Sequence, residues 1–268
     1  MRVFVYGTLL KGMSRSHSLN TSKFEGLGMI KARLYDLGSY PGIVESNNSV
    51  FGEIYDVDST TLLALDHIEG YDENYSERSL YIRREVEVTS LNDGSSLKAY
   101  TYFYNTSDLD NYYEISSGDY RRHLINIKST WYIAYGSNMN QERLTNRIGD
   151  VKEVTSGHLN GFELVFNKQG DNGSAYANIK YQGAGYRCPF AAYLIDHNQL
   201  DILDGYEGES HHYVRLGIPF IAENTEKTQL GHVYIAHPNK LTYEALVNED
   251  YLNIIRRGYL QHGFVANF

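Results

Sequence analysis

The chain carries one pattern twice. Leu65-Asp66-His67-Ile68-Glu69-Gly70 returns as Leu203-Asp204-Gly205-Tyr206-Glu207-Gly208, 138 residues further on. The same offset carries Tyr55 onto Tyr193, Leu62 onto Leu200 and Tyr75 onto Tyr213. The openings of the two halves correspond as well: Val5-Tyr6-Gly7-Thr8-Leu9-Leu10 and Ala134-Tyr135-Gly136-Ser137-Asn138-Met139 are offset by 129. An internal repeat of this length restricts the fold to two copies of one unit, 1–127 and 130–268. The offset grows by nine residues between opening and glutamate, and the Gly- and Asn-rich Lys168–Ser174 reads as the longer hairpin loop that takes them.

Within each copy the elements follow from local pattern. Arg2–Tyr6 and Trp131–Tyr135 are short β-rich runs, each stopped by a glycine. Lys11–Leu19 and Asn140–Ile148 read as short helical or irregular segments, followed by strands at Phe24–Leu37 and His158–Asn167. Tyr40-Pro41-Gly42-Ile43-Val44 corresponds to Tyr176-Ala177-Asn178-Ile179-Lys180. Val50–Val57 and Cys188–Ile195 are strands leading into the repeated helix. Ser79–Thr89 with Leu97–Tyr104, and Val214–Ala222 with Leu230–His237, alternate as antiparallel hairpins, the first with an Asn92-Asp93-Gly94 tip. Gly118–Arg122 and Tyr251–Gly258 close the copies on helical segments. Many short strands with few helices predict an α+β class, each copy a small mixed β-barrel with short flanking helices. Leu124–Thr130 contains no Pro- or Gly-rich spacer, so the two domains are expected to pack together in a monomer.

The repeated motif places a carboxylate on the last helical turn, because the following glycine ends the helix. At the negative end of the helix dipole the charged form is disfavoured and the pKa should rise. Such a group suits proton transfer. The plainer alternative is a repeated helix cap with a solvated glutamate.

Composition excludes several classes. The net charge of −9 is shared by both halves without any basic stripe, which argues against nucleic acid and anionic membrane as partners. The single cysteine, Cys188, rules out an internal disulfide and fits a reducing compartment; its apolar surroundings mark it as a buried small hydrophobe. No apolar window reaches membrane-spanning length, and a cytoplasmic location is expected. His211 and His212 beside Glu207 and Glu209 lack the spacing of a metal site and read as an exposed loop, with no metal or cofactor expected.

A Tyr-Gly-Thr/Ser-Leu/Asn opening strand, a Leu-Asp-x-x-Glu-Gly helix end and a later Tyr followed by Arg resemble the γ-glutamylcyclotransferase-like family. The first copy, with Tyr6-Gly7-Thr8-Leu9 and Tyr75-x-x-Arg78, resembles its γ-glutamylamine cyclotransferase branch. The second, with Tyr135-Gly136-Ser137-Asn138-Met139 and Tyr213-x-Arg215, is more similar to the branch acting on free γ-glutamyl peptides. The resemblance implies an enzyme, with a small-molecule γ-glutamyl compound cyclised to 5-oxoproline by its own α-amine. It implies Glu69 and Glu207 as general acid/base residues. It also implies substrate binding by the turns Tyr6, Gly7, Thr8, Leu9, Leu10 and Tyr135, Gly136, Ser137, Asn138, Met139. Tyr75 and Tyr213 would hydrogen-bond near the glutamates, or serve only as core tyrosines. Two other classes stay open: a binding or sensing module that keeps the glutamates as polar anchors, and a chain with one catalytic and one structural half. The rims diverge where Tyr71-Asp72-Glu73-Asn74 in one copy faces Glu209-Ser210-His211-His212 in the other, so the two pockets are expected to accept different substrates.

Overall fold

The computed structural model describes residues 1–268 except 107, 126, 127 and 224. The chain divides into two compact units, Met1–His123 and Leu124–Phe268. The expected end of the first copy at residue 127 lies outside the described residues. Among them no helix is long and apolar enough to cross a membrane.

The first unit is a closed barrel. Its strands are β1 (Arg2–Val5), β2 (Lys23–Asp36) and β3 (Pro41–Asp56), then β4 (Tyr81–Ser90), β5 (Ser96–Tyr104) and the short β6 (Tyr113–Glu114). Helix α1 (Ser59–Glu69) joins β3 to β4, and α2 (Tyr120–Leu124) follows β6. The order β3-β1-β5-β4-β2 returns to β3 through the β2–β3 hairpin, with β6 attached to β2. Alternation along the strands turns Phe4, Leu34, Ile43 and Ile54 inward, and α1 adds Leu62 and Leu65 to the same core.

The second unit repeats this plan with a break. It comprises β7 (Thr130–Ala134), α3 (Gln141–Ile148), β8 (Glu153–Asn160), β9 (Phe162–Gln169), β10 (Ala175–Tyr181), β11 (Arg187–Ile195), α4 (His197–Glu207), β12 (Tyr213–Phe220), β13 (Gln229–Ala236) and α5 (Glu249–Gln261). Five strands run in the order β12-β13-β7-β11-β8, and β9 and β10 form a separate pair. An isolated bridge, Gly157 to Ala222, joins β8 to the chain beyond β12. The strand expected at His158–Asn167 is therefore two strands: Gly161 takes φ +85° between them and turns the chain into a second sheet. The loop expected at Lys168–Ser174 is also shorter, because Lys168 pairs with Tyr176 inside the β9–β10 ladder. Phe190, Tyr193, Ile133 and Leu144 are fully buried here, and Cys188 lies among such residues with its thiol pushed up to about 12 by burial.

A buried ion pair braces the first unit where its opening turn meets the barrel. Arg121 on α2 donates to Glu53 Oε1 on β3 at 2.6 Å and to the Lys11 carbonyl at 3.2 Å. The other carboxylate oxygen accepts from the Lys11 amide (2.8 Å) and from the Tyr55 hydroxyl (2.9 Å). Removing one partner of such a pair leaves an uncompensated charge. Arg121→Met should therefore lower the unfolding free energy by about 3–5 kcal/mol, read from urea denaturation; a loss below about 1 kcal/mol, the size expected of an exposed pair, would contradict the bracing role.

Candidate functional site

Each unit holds the end of its repeated helix by the aspartate that lies three residues before the glutamate. In the first, Asp66 accepts from the Tyr102 hydroxyl at 2.8 Å and is ion-paired with Arg83, whose guanidinium lies between the Tyr71 and Tyr100 rings. In the second, Asp204 accepts from the Tyr234 hydroxyl at 2.7 Å and pairs with Arg215 at 2.8 Å. Asp58 and Asp196 cap the opposite ends of these helices. Gly70 and Gly208 end them at φ +62° and +60°, conformations that L side chains rarely adopt. Glu69 and Glu207 are thereby the last helical residues, and each lines a cavity of its own unit.

The opening turn forms the other wall. In the first unit Tyr6 donates to the Tyr102 carbonyl (2.6 Å), and in the second Tyr135 donates to the Tyr234 carbonyl (2.6 Å). The chain then passes so close to the β2–β3 or β9–β10 hairpin that a Cβ on Gly7 would stand 2.6 Å from Pro41 Cγ. One on Gly136 would stand 2.9 Å from Ala177 Cβ. Tyr6, Gly7, Thr8 and Leu9 line the first cavity, of about 60 Å³. Tyr135, Gly136, Ser137 and Asn138 line the second, of about 30 Å³. Leu10 and Met139, expected in the binding turns, do not line these cavities. Both side chains are fully buried, and their amides are used to close the turns on the Gly7 and Gly136 carbonyls at 3.0 Å. The Thr8 and Leu9 amides find no protein acceptor among the described residues.

A second correction concerns the tyrosines. Tyr213 lines its cavity and donates to the Ala177 carbonyl at 2.8 Å. Tyr75, its expected counterpart, is 63% exposed on a short 3₁₀ segment and lies outside the first cavity. The counterpart is Tyr81, which donates to the Pro41 carbonyl at 2.7 Å and lines the first cavity. The pattern was present as Tyr81-Ile82-Arg83 and Tyr213-Val214-Arg215, each Arg bound to the helix aspartate. Extending the 138-residue offset past the glutamate obscured it, because the first unit's loop between helix and strand is longer.

The two carboxylates sit in different surroundings. Burial raises the Glu69 pKa to about 7, with Arg15 acting in the opposite direction. No donor is within hydrogen-bonding reach of Glu69 among the described residues. Burial also raises the Glu207 pKa, but here Arg147, Asn138, Lys168 and Arg143 all act in the opposite direction. Asn138 donates to Glu207 Oε1 at 2.9 Å and Arg147 approaches the same oxygen at 3.3 Å. The cause of both shifts is desolvation; the helix end serves to hold the carboxylate against the cavity. Arg15, Tyr81, Arg147 and Tyr251 are site residues that repeat spacing did not single out. Tyr251 of α5 accepts from the Ala177 amide at 3.2 Å, and burial raises its pKa to about 12.

Residues 3–122 and 132–253 each match the family model described as gamma-glutamyl cyclotransferase, AIG2-like. A Vibrio cholerae relative is 48% identical over 75 residues, 27% of this chain and 65% of that one. The Escherichia coli K12 gamma-glutamylcyclotransferase family protein YtfP is 37% identical over 79 residues, 29% of this chain and 70% of its own length. The solved structure of YkqA from Bacillus subtilis is similar over 99% of this chain and 93% of that one, with TM-score 0.71 and 23% identity, a likeness of fold.

The Glu69 pKa has a consequence for stability. It exceeds the ordinary value of 4.5, so the folded state binds this proton more tightly than the unfolded state. That contribution is complete below pH 4.5 and is lost as pH rises through about 7. Glu69→Gln should therefore match the wild type in urea unfolding at pH 4 and exceed it at pH 8, by on the order of 2–3 kcal/mol; an equal difference at both pH values would contradict the assignment.

Proposed function

The chain belongs to the AIG2-like gamma-glutamyl cyclotransferase family, and from that premise we propose that each half cyclises a γ-glutamyl compound, with Glu69 and Glu207 as the proton carriers. The observation that carries this reading is the Glu69 carboxyl: half-buried against the cavity, without a hydrogen-bond donor among the described residues, and with its pKa raised by burial to about 7 beside a turn with two uncommitted amides.

In the proposed reaction the α-amine of the substrate attacks its own γ-carbonyl carbon. A C–N bond forms, the carbonyl π electrons move to oxygen, and the ammonium proton passes to the glutamate carboxylate. Collapse of the tetrahedral intermediate breaks the original C–N bond. The leaving nitrogen keeps that electron pair and takes the proton back from the glutamic acid, which yields 5-oxoproline and a free amine. One group serves as base and then acid, a role suited to a pKa near neutrality. Because both reacting groups belong to one molecule, the cavity has chiefly to hold the bent conformer. The amides of Thr8 and Leu9 are suited to the developing oxyanion or the substrate carboxylate, since donors fixed in a turn need no reorganisation. Tyr6 and Tyr81 hold the walls by donating to main-chain carbonyls, and burial together with the nearby Glu69 charge keeps the Tyr81 phenol protonated.

The test is 5-oxoproline release from a panel of γ-glutamyl amines and γ-glutamyl amino acids. Each single variant, Glu69→Gln and Glu207→Gln, should remove the activity of its own half by about 10²–10⁴-fold. The double variant should be inactive while still folding. Full turnover by the double variant would overturn the proton-carrier role.

A further inference from the structure

The second glutamate is held by one of its two carboxylate oxygens. Asn138 Nδ2 donates to Glu207 Oε1 at 2.9 Å, and Arg147 Nη1 stands 3.3 Å from the same oxygen. Among the described residues Oε2 has no hydrogen-bond partner. The two donors are themselves joined. Arg147 Nη1 donates to Asn138 Oδ1 at 3.0 Å, while Asn138 Nδ2 also donates to the Tyr132 hydroxyl at 2.7 Å. Asn138 is buried, and only this orientation of its amide fits. The reverse would set Oδ1 against the carboxylate and Nδ2 against the guanidinium. A further contact steadies Arg147, whose guanidinium lies 4.7 Å from the centroid of the Tyr206 ring.

The first unit is built otherwise. The repeat offsets set Leu9 at the place of Asn138 and Ile68 at the place of Tyr206, so that site lacks both the amide and the ring. Its cation, Arg15, donates to the Ile68 carbonyl at 3.3 Å instead of to the carboxylate. In the second unit two more cations act on Glu207 without a hydrogen bond to it among the described residues. These are Arg143 on α3 and Lys168 on β9, and both favour its charged form. The phenols of Tyr132 and Tyr135 at the end of β7, Tyr213 on β12 and Tyr251 on α5 face it as well. Burial keeps all four protonated through the neutral range.

We infer that Arg147 is the positioning residue of the second site: together with Asn138 it anchors Glu207 by Oε1, keeps the carboxylate charged, and leaves Oε2 to carry the proton. The inference deepens the cyclotransferase reading and rests on it for the reaction alone. In that reaction the proton of the substrate's α-ammonium passes to Oε2, while the anchored Oε1 keeps the carboxylate from turning. The same proton then leaves Oε2 for the departing nitrogen. A hydrogen-bonded opposite charge stabilises the ionised carboxylate against the burial that disfavours it. Without Arg147, burial acts on Glu207 with less opposition, and the carboxyl ionises only at higher pH.

The test uses the full chain carrying Glu69→Gln, in which only the second site turns over, and follows kcat/KM for 5-oxoproline release against pH. Arg147→Met should move the low-pH inflection upward by about 1–3 pH units, the effect of losing an adjacent opposite charge. Arg147→Lys, which keeps the charge, should return the inflection most of the way. Tyr206→Ile, which copies the first unit at an exposed position, should move it upward by less than Arg147→Met. An NMR titration of the Glu207 carboxyl carbon, identified by its loss in Glu207→Gln, reads the same group without turnover and should shift in parallel. A Glu207 titration that Arg147→Met leaves in place, or that Arg147→Lys fails to restore, would overturn the inference. If the carbon titration moves as expected while the chain releases no 5-oxoproline at any pH, the anchoring by Arg147 stands and the cyclotransferase reading of the second half fails.

Discussion

Both cavities depend on an aspartate that does not line them. Asp66 and Asp204 tie the last turn of a short helix to the barrel through one tyrosine hydroxyl and one arginine. The same tyrosine's carbonyl accepts the hydroxyl of the opening-turn tyrosine, Tyr6 or Tyr135. One strand residue, Tyr102 or Tyr234, therefore fixes both walls of the cavity. The helix end cannot drift from the turn without breaking a charge-assisted hydrogen bond in a partly buried setting, where such bonds are strong. Glu69 and Glu207 owe their surroundings to this clamp, three residues away on the same helix face.

With the frame held in this way, the side chains around it are free to differ. Among the described residues the first unit leaves its glutamate without a donor, and it braces its turn through the Glu53–Arg121 pair. The second holds Glu207 through Asn138 and Arg147, and its turn is met by the Tyr193 hydroxyl on the Met139 carbonyl at 2.9 Å. Desolvation raises both pKa values, but the cations around Glu207 oppose the rise there. The two halves are one mechanical design with two electrostatic settings.

Much of this was legible in the sequence, and the misses have definite causes. Glycines after Glu69 and Glu207 marked both helix ends, because the left-handed conformation needed there is costly for other residues. Alternating tyrosine-rich strands gave the α+β barrel. The break at Gly161 was missed because β8 and β9 keep an apolar pattern across it, and only the second unit bends there. Tyr75 stands at the repeat offset from Tyr213 but Tyr81 holds its place in the structure, because an offset is constant only where no loop changes length. Lys168 looked like a loop residue from its Gly- and Asn-rich neighbours, whereas its pairing with Tyr176 carries it into the sheet. Arg147 and Tyr251 reach the second site through tertiary packing, for which local spacing holds no signal.

The central claim is that a half-buried carboxyl held at a helix end carries the proton. The most direct measurement is the pH dependence of kcat/KM for 5-oxoproline release by the Glu207→Gln chain, in which Glu69 acts alone. As the base, Glu69 must be ionised in the free enzyme, so the rate should rise tenfold per pH unit below the inflection and level off above about 7. A profile already flat at pH 5, with its inflection at the ordinary carboxyl value of 4.5, would contradict the account.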